Sequence, residues 1–516
     1  MTSADYLLGM AVIEHKRPRV VVIGAGLGGL SAAIRLAGAG YAVEVFEKQS
    51  GPGGKAFTEK LGDYRFDTGP SLFTLKPVFD QLFAEVGRSL DDYMQVRPLE
   101  RICNYFWRDG TRTASYADRR RMADEFQRVF GEPVEHTQRF LDYSETIHDI
   151  TSHLFLERSL HEWSTYTSRG FWASLVRLPK IDALRTMDRA NAAFFQHPKL
   201  QQFFDRYATY NGSDPYQTPA TLNIIPHVEY GIGAWAVEGG IYAVAQGLDR
   251  LARELGVQLH YETPVTAIRY SGTPGRNAVI RGVSVAGAEV PAEVVVSNVD
   301  VTPTYEHLLK DVDAPLYRRY QGLEPSSSGL VFYWGVGRRF PELGLHNIFF
   351  SDDYRREFHQ IFQEGRCPED PTIYLNITAK EGSPTDAPPG GENWFVLVNA
   401  PWDNGQNWET EAERVRAAVI ARLSKELGTD LESCIEVESR MTPPEIAAKT
   451  DSHRGSLYGI SSNTRLAAFL RHPNRSRRYT GLFLVGGSAH PGGGMPLVVL
   501  GGRIVSDLVR RYHPVL

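Results

Sequence analysis

The hydrophobic pattern changes period several times along the chain, and each change marks an element. Val20–Ile23 is an unbroken β-branched run, the mark of a strand covered on both faces. Ser31–Ala39 carries apolar residues at helical spacing and stops at Gly40. Tyr41–Phe46 alternates and predicts a second strand, with Glu47 at its end. Residues 76–225 are mostly helical in pattern, clearest over Pro77–Gly87 and Arg119–Phe130. Cys103–Thr111 interrupts them as strand, turn, strand. Ile241–Leu255 predicts a helix closed by Gly256, followed by a strand over Val257–Tyr261. Ala292–Asp300 reads as a strand ending in a polar turn. Gly329–Trp334, Thr372–Ile377 and Trp394–Asn399 alternate as strands, and Lys380–Glu392 is a Pro- and Gly-rich loop. Thr410–Leu427 is a long amphipathic helix, and a last buried strand, Leu482–Val485, runs through a glycine loop into an apolar helix.

Chemistry enters at the punctuation between these elements. Gly24-Ala25-Gly26-Leu27-Gly28-Gly29 joins the first strand to the first helix, with glycine at all three positions of G-x-G-x-x-G. With the flanking strand, the helix and the acid at Glu47, this is a dinucleotide-binding βαβ unit. Gly24 allows the tight turn, Gly26 lets backbone approach a diphosphate, and Gly29 lets helix and strand pack closely. The helix N-terminus offers free N–H groups to the phosphates, and Glu47 can accept from a ribose diol. An acid at that place argues against NADP and leaves NAD and FAD open. A second cluster, Gly51-Pro52-Gly53-Gly54-Lys55, follows directly and supplies close backbone and a positive charge. Near the end, Gly486–Met495 forms a second strand–glycine loop–helix junction able to place N–H groups against a cofactor.

Composition narrows the classes. The 516 residues hold 56 Lys and Arg against 61 Asp and Glu, a net charge of −5, so no basic surface points to nucleic acid. Cys103, Cys367 and Cys434 lie too far apart for a metal motif and fit a reduced, cytoplasmic setting. Residues 1–16 read as a loosely attached lead-in without the basic flank of a signal peptide. No run reaches 18 apolar residues, so no membrane-crossing helix is expected. Trp163–Arg189 mixes apolar residues with five basic ones, a pattern suited to a membrane interface and equally to a helix pair covering the core.

The dinucleotide fingerprint, then Gly53-Gly54-Lys55, then Phe66-Asp67-Thr68-Gly69-Pro70-Ser71, resembles the bacterial-type phytoene and carotenoid desaturases within the amine-oxidase-like flavoproteins. The segments Glu229–Gly240 and His346–Tyr354 and the closing Gly481–Leu508 are similar to the same family, over a stretch from about Arg19 to the C-terminus. Two departures stand out. Ala236-Val237-Glu238 replaces the family's usual aromatic and proline before Gly239-Gly240, and Gly493 takes a place usually held by another small residue.

The resemblance implies FAD rather than NAD. It places Gly69, Pro70 and Ser71 near the isoalloxazine ring, the backbone of Val265 against the adenine, and Gly487, Ser488, Gly494 and Met495 in the second cofactor loop. It implies an α/β fold, a Rossmann-like FAD-binding domain (residues 17–75, 228–300 and 475–516) interleaved with an α+β substrate domain (76–227 and 301–474). The implied activity is desaturation of an acyclic carotenoid by hydride transfer, at a membrane surface, with a quinone or oxygen as final electron acceptor. Ser71–Leu75, Tyr105–Trp107 and the Ala236–Glu238 departure tilt the reading toward 3,4-desaturation of a 1-hydroxycarotenoid. Phytoene desaturation and another amine-oxidase-like flavin oxidase are the alternatives within the enzyme class. A non-catalytic isoprenoid carrier is the alternative outside it. No triad or metal cluster is legible. His490 is the one ionisable group expected near the ring, as a base or as a structural histidine bonded to backbone, while His227, Glu229 and Tyr230 are candidates to line the site by position alone.

Overall fold

A computed structural model describes residues 17–152, 159–162, 177–464 and 471–515. The lead-in 1–16 and most of the basic–apolar segment, 163–176, lie outside the described residues.

Five parallel strands form the first sheet, in the order Gln258–His260, Ala42–Phe46, Arg19–Ile23, Val294–Ser297, Leu482–Leu484. Their valine-rich sequence follows from double cover. Val20 and Val22 face one core with the helices Leu27–Gly38, Tyr242–Glu254 and Met495–Tyr512, while Val21 and Ile23 face another with Tyr305, Tyr317 and Tyr479. Register is strict: Val20 to Ile23 pair with Val294 to Ser297 on one side and with Val43 to Phe46 on the other. Both glycine loops leave the same, C-terminal edge of this sheet, where open α/β sheets bind ligands. The helix Lys76–Ala84 also joins this half, burying Phe79, Leu82 and Phe83 in its core.

The second sheet has seven strands, in the order Ile435–Met441, Ser328–Val336, Glu392–Ala400, Ile373–Asn376, His346–Phe349, Arg101–Phe106, Arg112–Tyr116. It is antiparallel except for the parallel pair His346–Phe349 with Arg101–Phe106. Alternation divides its two faces. Leu330, Phe332 and Trp334 pack with Trp394, Val396 and Val398 under the helix Trp408–Leu427. Val331 and Tyr333 turn the other way, with Phe395 and Met441. A helical cap of Val134–Thr151, Met187–Phe194 and Pro198–Asp205 rests on an aromatic cluster that includes Phe126, Phe140, Phe203 and Phe204.

Asp67 ties the two halves. Its buried carboxylate accepts from the Ile241 and Tyr242 amides (2.7 and 3.3 Å) at the start of the helix Tyr242–Glu254. Arg65 donates to it at 2.7 Å and to Asp386, on the loop before Glu392–Ala400, at 3.0 Å. Replacing Asp67 by Ala leaves two amides without an acceptor and Arg65 with Asp386 alone. We expect Asp67→Ala to cost about 3 kcal/mol, seen as a lower thermal midpoint in calorimetry, with Asp67→Asn losing less.

Candidate functional site

A cavity of about 670 Å³ lies between the two sheets. Its upper wall is backbone. Gly26, Leu27 and Gly28 line it from the first loop, Gly53, Gly54 and Lys55 from the second, and Gly486, Gly487, Ser488, Gly493, Gly494 and Met495 from the last. The helices Leu27–Gly38 and Met495–Tyr512 begin on this wall at Gly26 and Gly494. Neither N-terminus carries a side-chain cap or an acidic residue in its first turn. Uncapped amides of two helices therefore face one cavity, the setting that holds a diphosphate.

Close backbone approach makes this possible. A Cβ on Gly29 would stand 2.2 Å from the Gly24 carbonyl oxygen, and one on Gly69 would stand 1.9 Å from that of Lys55. Gly53 N–H donates to the Ala25 carbonyl at 2.9 Å and stitches the first two loops together. Asn298, just past the strand Val294–Ser297, fills the centre; a Cβ on Gly26 or Gly28 would lie 2.5 or 2.8 Å from its amide. Its backbone N–H donates to the Ile23 carbonyl at 2.8 Å.

The predicted residues separate into those on the wall and those behind it. Gly26, Gly28, Gly54, Lys55, Gly69, Pro70, Ser71, Gly487, Ser488, Gly494 and Met495 all line the cavity. Gly24 and Gly29 lie beneath, where they set the turn. Glu47 is also behind the wall, its carboxylate accepting from the Ala25 and Gln49 amides at 2.7 and 2.8 Å. Val265 pairs with Val285 in a separate three-stranded sheet and does not reach the wall. Nor does His490: it is buried, its backbone N–H donates to the His472 carbonyl at 3.0 Å, and its backbone carbonyl accepts from the Asn474 amide at 2.6 Å.

Several lining residues carry no motif and escape sequence reasoning. Asn298 and Asp300 belong to a polar turn that reads only as a strand end. Val331, Ile348, Phe395 and Leu397 give an apolar floor, chosen by alternation in strands whose inward face the sequence does not reveal. Ser71 Oγ lies 2.6 Å from the Tyr374 hydroxyl, which lies 2.8 Å from His346 Nδ1. Burial, with Arg206 adding to it, pushes His346 down to about 3, so the ring is neutral and a weak proton acceptor. Arg206 joins the wall as well, together with Glu229, a candidate by position, whereas His227 and Tyr230 do not line it. A signal for Arg206 does exist: it is the one basic residue in the aromatic run Phe203–Tyr210.

Lys55 is the cation within the second glycine loop and lines the cavity. Its ammonium donates to the Ser456 and Leu457 carbonyls at 3.1 and 2.7 Å. Burial pushes it down to about 8, against the opposing pull of Asp300. Among the described residues, no group of His, Cys, Asp and Glu could hold a metal. The three cysteines are free.

Residues 27–510 match the flavin-containing amine oxidoreductases, and the chain belongs to that family. Within it, the 1-hydroxycarotenoid 3,4-desaturase of Flavobacterium sp. (strain P99-3) is 42% identical over 95% of this chain and 99% of its own. The 4,4'-diapolycopene oxygenase of Methylomonas sp. is 36% identical over 96% and 99%. A putrescine oxidase structure superposes with a TM-score of 0.62 at 15% identity, covering 96% of this chain and 99% of that one, a likeness of fold. The chain is an FAD-dependent oxidoreductase, and the uncapped helix ends and bare glycine wall fit that cofactor.

Two outcomes follow from this geometry. Gly29→Ala must displace backbone and should weaken FAD binding about 10- to 100-fold, the scale of an overpacked core. Gly26→Ala should lose less, because the Asn298 amide can move; equilibrium dialysis ranks them. Lys55 is charged below about 8 and neutral above it. FAD is an anion, so its dissociation constant should rise about tenfold as pH climbs through that value, the effect of a lysine pKa raised by about one unit on binding, roughly 1.4 kcal/mol. Lys55→Gln should give a flat profile over the same range.

Proposed function

We propose that this protein desaturates an acyclic carotenoid, and that its favoured reaction is 3,4-desaturation of a 1-hydroxycarotenoid. The observation that carries the reading is the single cavity that joins the glycine wall to an apolar floor of Val331, Ile348, Phe395 and Leu397. A pocket that is mostly apolar with a few placed polar groups suits a hydrocarbon that must lie in one register. The 42% identical desaturase relative supports the same substrate class.

Desaturation removes a hydride from one carbon and a proton from its neighbour and leaves a double bond. No side chain accepts a hydride; bound FAD supplies that two-electron capacity. The protein's part is to hold the chain flat, exclude water and fix the bond that reacts. Gly54, Lys55, Gly69, Pro70 and Ser71 hold the cofactor from one side, Gly487, Ser488, Gly494 and Met495 from the other. A membrane quinone or oxygen takes the electrons onward.

The substrate class dissolves in membranes, and we place the protein at a membrane surface. No helix among the described residues is long and apolar enough to cross a bilayer. Support for surface attachment comes from the basic–apolar composition of Trp163–Arg189, in which Leu184 is 75% exposed.

The test is a substrate panel. FAD-loaded protein is mixed with liposomes carrying phytoene, neurosporene, lycopene or a 1-hydroxylated acyclic carotenoid, and the absorbance is followed. We expect a red shift with the hydroxylated carotenoid. A shift with phytoene alone would move the protein to the phytoene branch. No shift with any of them, in protein that holds FAD, would end the desaturase reading.

A further inference from the structure

One part of the cavity wall is more polar than a hydrocarbon requires. Arg206 and Glu229 both line it, are 7% and 1% exposed, and stand 3.9 Å apart. Two ionised groups taken out of water are costly unless hydrogen bonds and mutual attraction offset the loss. Three tyrosines supply part of that offset. Arg206 donates to the Tyr105 hydroxyl at 3.0 Å and to the Tyr210 hydroxyl at 3.4 Å. Tyr207 donates to Glu229 Oε1 at 3.0 Å, and Tyr210 to Oε2 at 2.6 Å. The guanidinium also lies over the Tyr207 and Tyr210 rings, 4.5 and 5.3 Å from their centres.

The hydrogen-bonding account does not close. Arg206 Nε–H is buried and has no acceptor. Each oxygen of Glu229 takes one donor where a carboxylate oxygen can take two. An alcohol that reaches this pair from the cavity can accept from the guanidinium and donate to the carboxylate at one oxygen. A polyene or a methyl group satisfies neither.

We propose that Arg206 and Glu229, held by Tyr105, Tyr207 and Tyr210, form a subsite for the tertiary hydroxyl of a 1-hydroxylated acyclic carotenoid. The alcohol accepts from Arg206 and donates to Glu229. This deepens the 3,4-desaturase reading and rests on it.

Position supports the assignment. Glu229 lies on the turn Val228–Ile232, which leads into the strand Ala234–Val237. Ala234 and Trp235 pair with Thr74 and Phe73, just after Gly69-Pro70-Ser71. In the substrate, the hydroxyl-bearing carbon is one methylene from the bond to be oxidised. A hydroxyl fixed on this turn therefore sets which bond lies beside the Gly69–Ser71 backbone. A site built to bond a hydroxyl rejects the analogue lacking it by about 10⁴-fold, whereas apolar fit alone gives about 10²-fold.

The test compares three ends on the same acyclic chain: the 1-hydroxyl, its methyl ether and the hydrocarbon. Two readouts are taken on FAD-loaded protein, kcat/KM and binding by quenching of flavin fluorescence. Wild type should prefer the alcohol by about 10³-fold or more, and the ether, which cannot donate, should fall with the hydrocarbon. Two variants are compared with it: Tyr210→Phe, and Arg206→Met combined with Glu229→Gln so that no lone charge is left buried. Both should retain FAD yet lower the preference, mainly by raising KM for the alcohol, the second by about 100-fold. Equal use of alcohol and ether by wild type would overturn the subsite. So would full preference in the double variant with FAD bound. If wild type turns over none of the three, the desaturase reading fails, and the quenching comparison of alcohol with ether still decides the subsite.

Discussion

Backbone meets backbone here more closely than any side chain permits, and the cavity exists because of it. The Gly24 carbonyl against Gly29 tightens the first loop, Gly53 N–H on the Ala25 carbonyl ties it to the second, and the Lys55 carbonyl against Gly69 ties the second to the following turn. Once the loops are so packed, two helix ends, a lysine and the sheet edge converge without further adjustment. Asn298 occupies the centre of the junction, so the strand that carries it is locked to the first glycine loop.

The two halves of the cavity rest on different physics. The upper wall is positioned by hydrogen bonds and close approach. The floor is positioned by alternation in a sheet whose opposite face is anchored by Trp334 and Trp394, both fully buried. Asp67 and Arg65 couple the halves through Asp386, so the turn holding Gly69 cannot shift without disturbing the start of the Tyr242–Glu254 helix. The charged pair Arg206 and Glu229 sits where these systems meet, on the helical cap and the turn that closes the cavity.

Periodicity was informative wherever packing is local. The helix read over Arg119–Phe130 has those bounds in the structure, and the strand read over Trp394–Asn399 lies within Glu392–Ala400. The parallel sheet and its glycine loops were legible because valine runs and glycine spacing answer to one requirement. Short strands such as Phe73–Thr74 and Ala234–Val237 were not, since pairing distant in sequence makes them strands. The same reason hides the cavity floor. Phe79, Leu82 and Phe83 show how pattern alone misplaces a helix: their spacing announces a buried face but not which core it enters. Glu47 illustrates a subtler limit. Its place after the strand is legible, but its two bonds to loop amides depend on a turn that the spacing does not specify.

The first sheet also sets a timetable for synthesis. Its strand Arg19–Ile23 is made more than 450 residues before its edge strand Leu482–Leu484 and the loop Gly486–Met495. Domains made early commonly fold while the ribosome is still working. This one has no complete cofactor wall until Gly486–Met495 has been made. Flavin loading is therefore a late event, and a ribosome that stops short of Gly486 releases a protein with the fingerprint intact and half of its cradle missing.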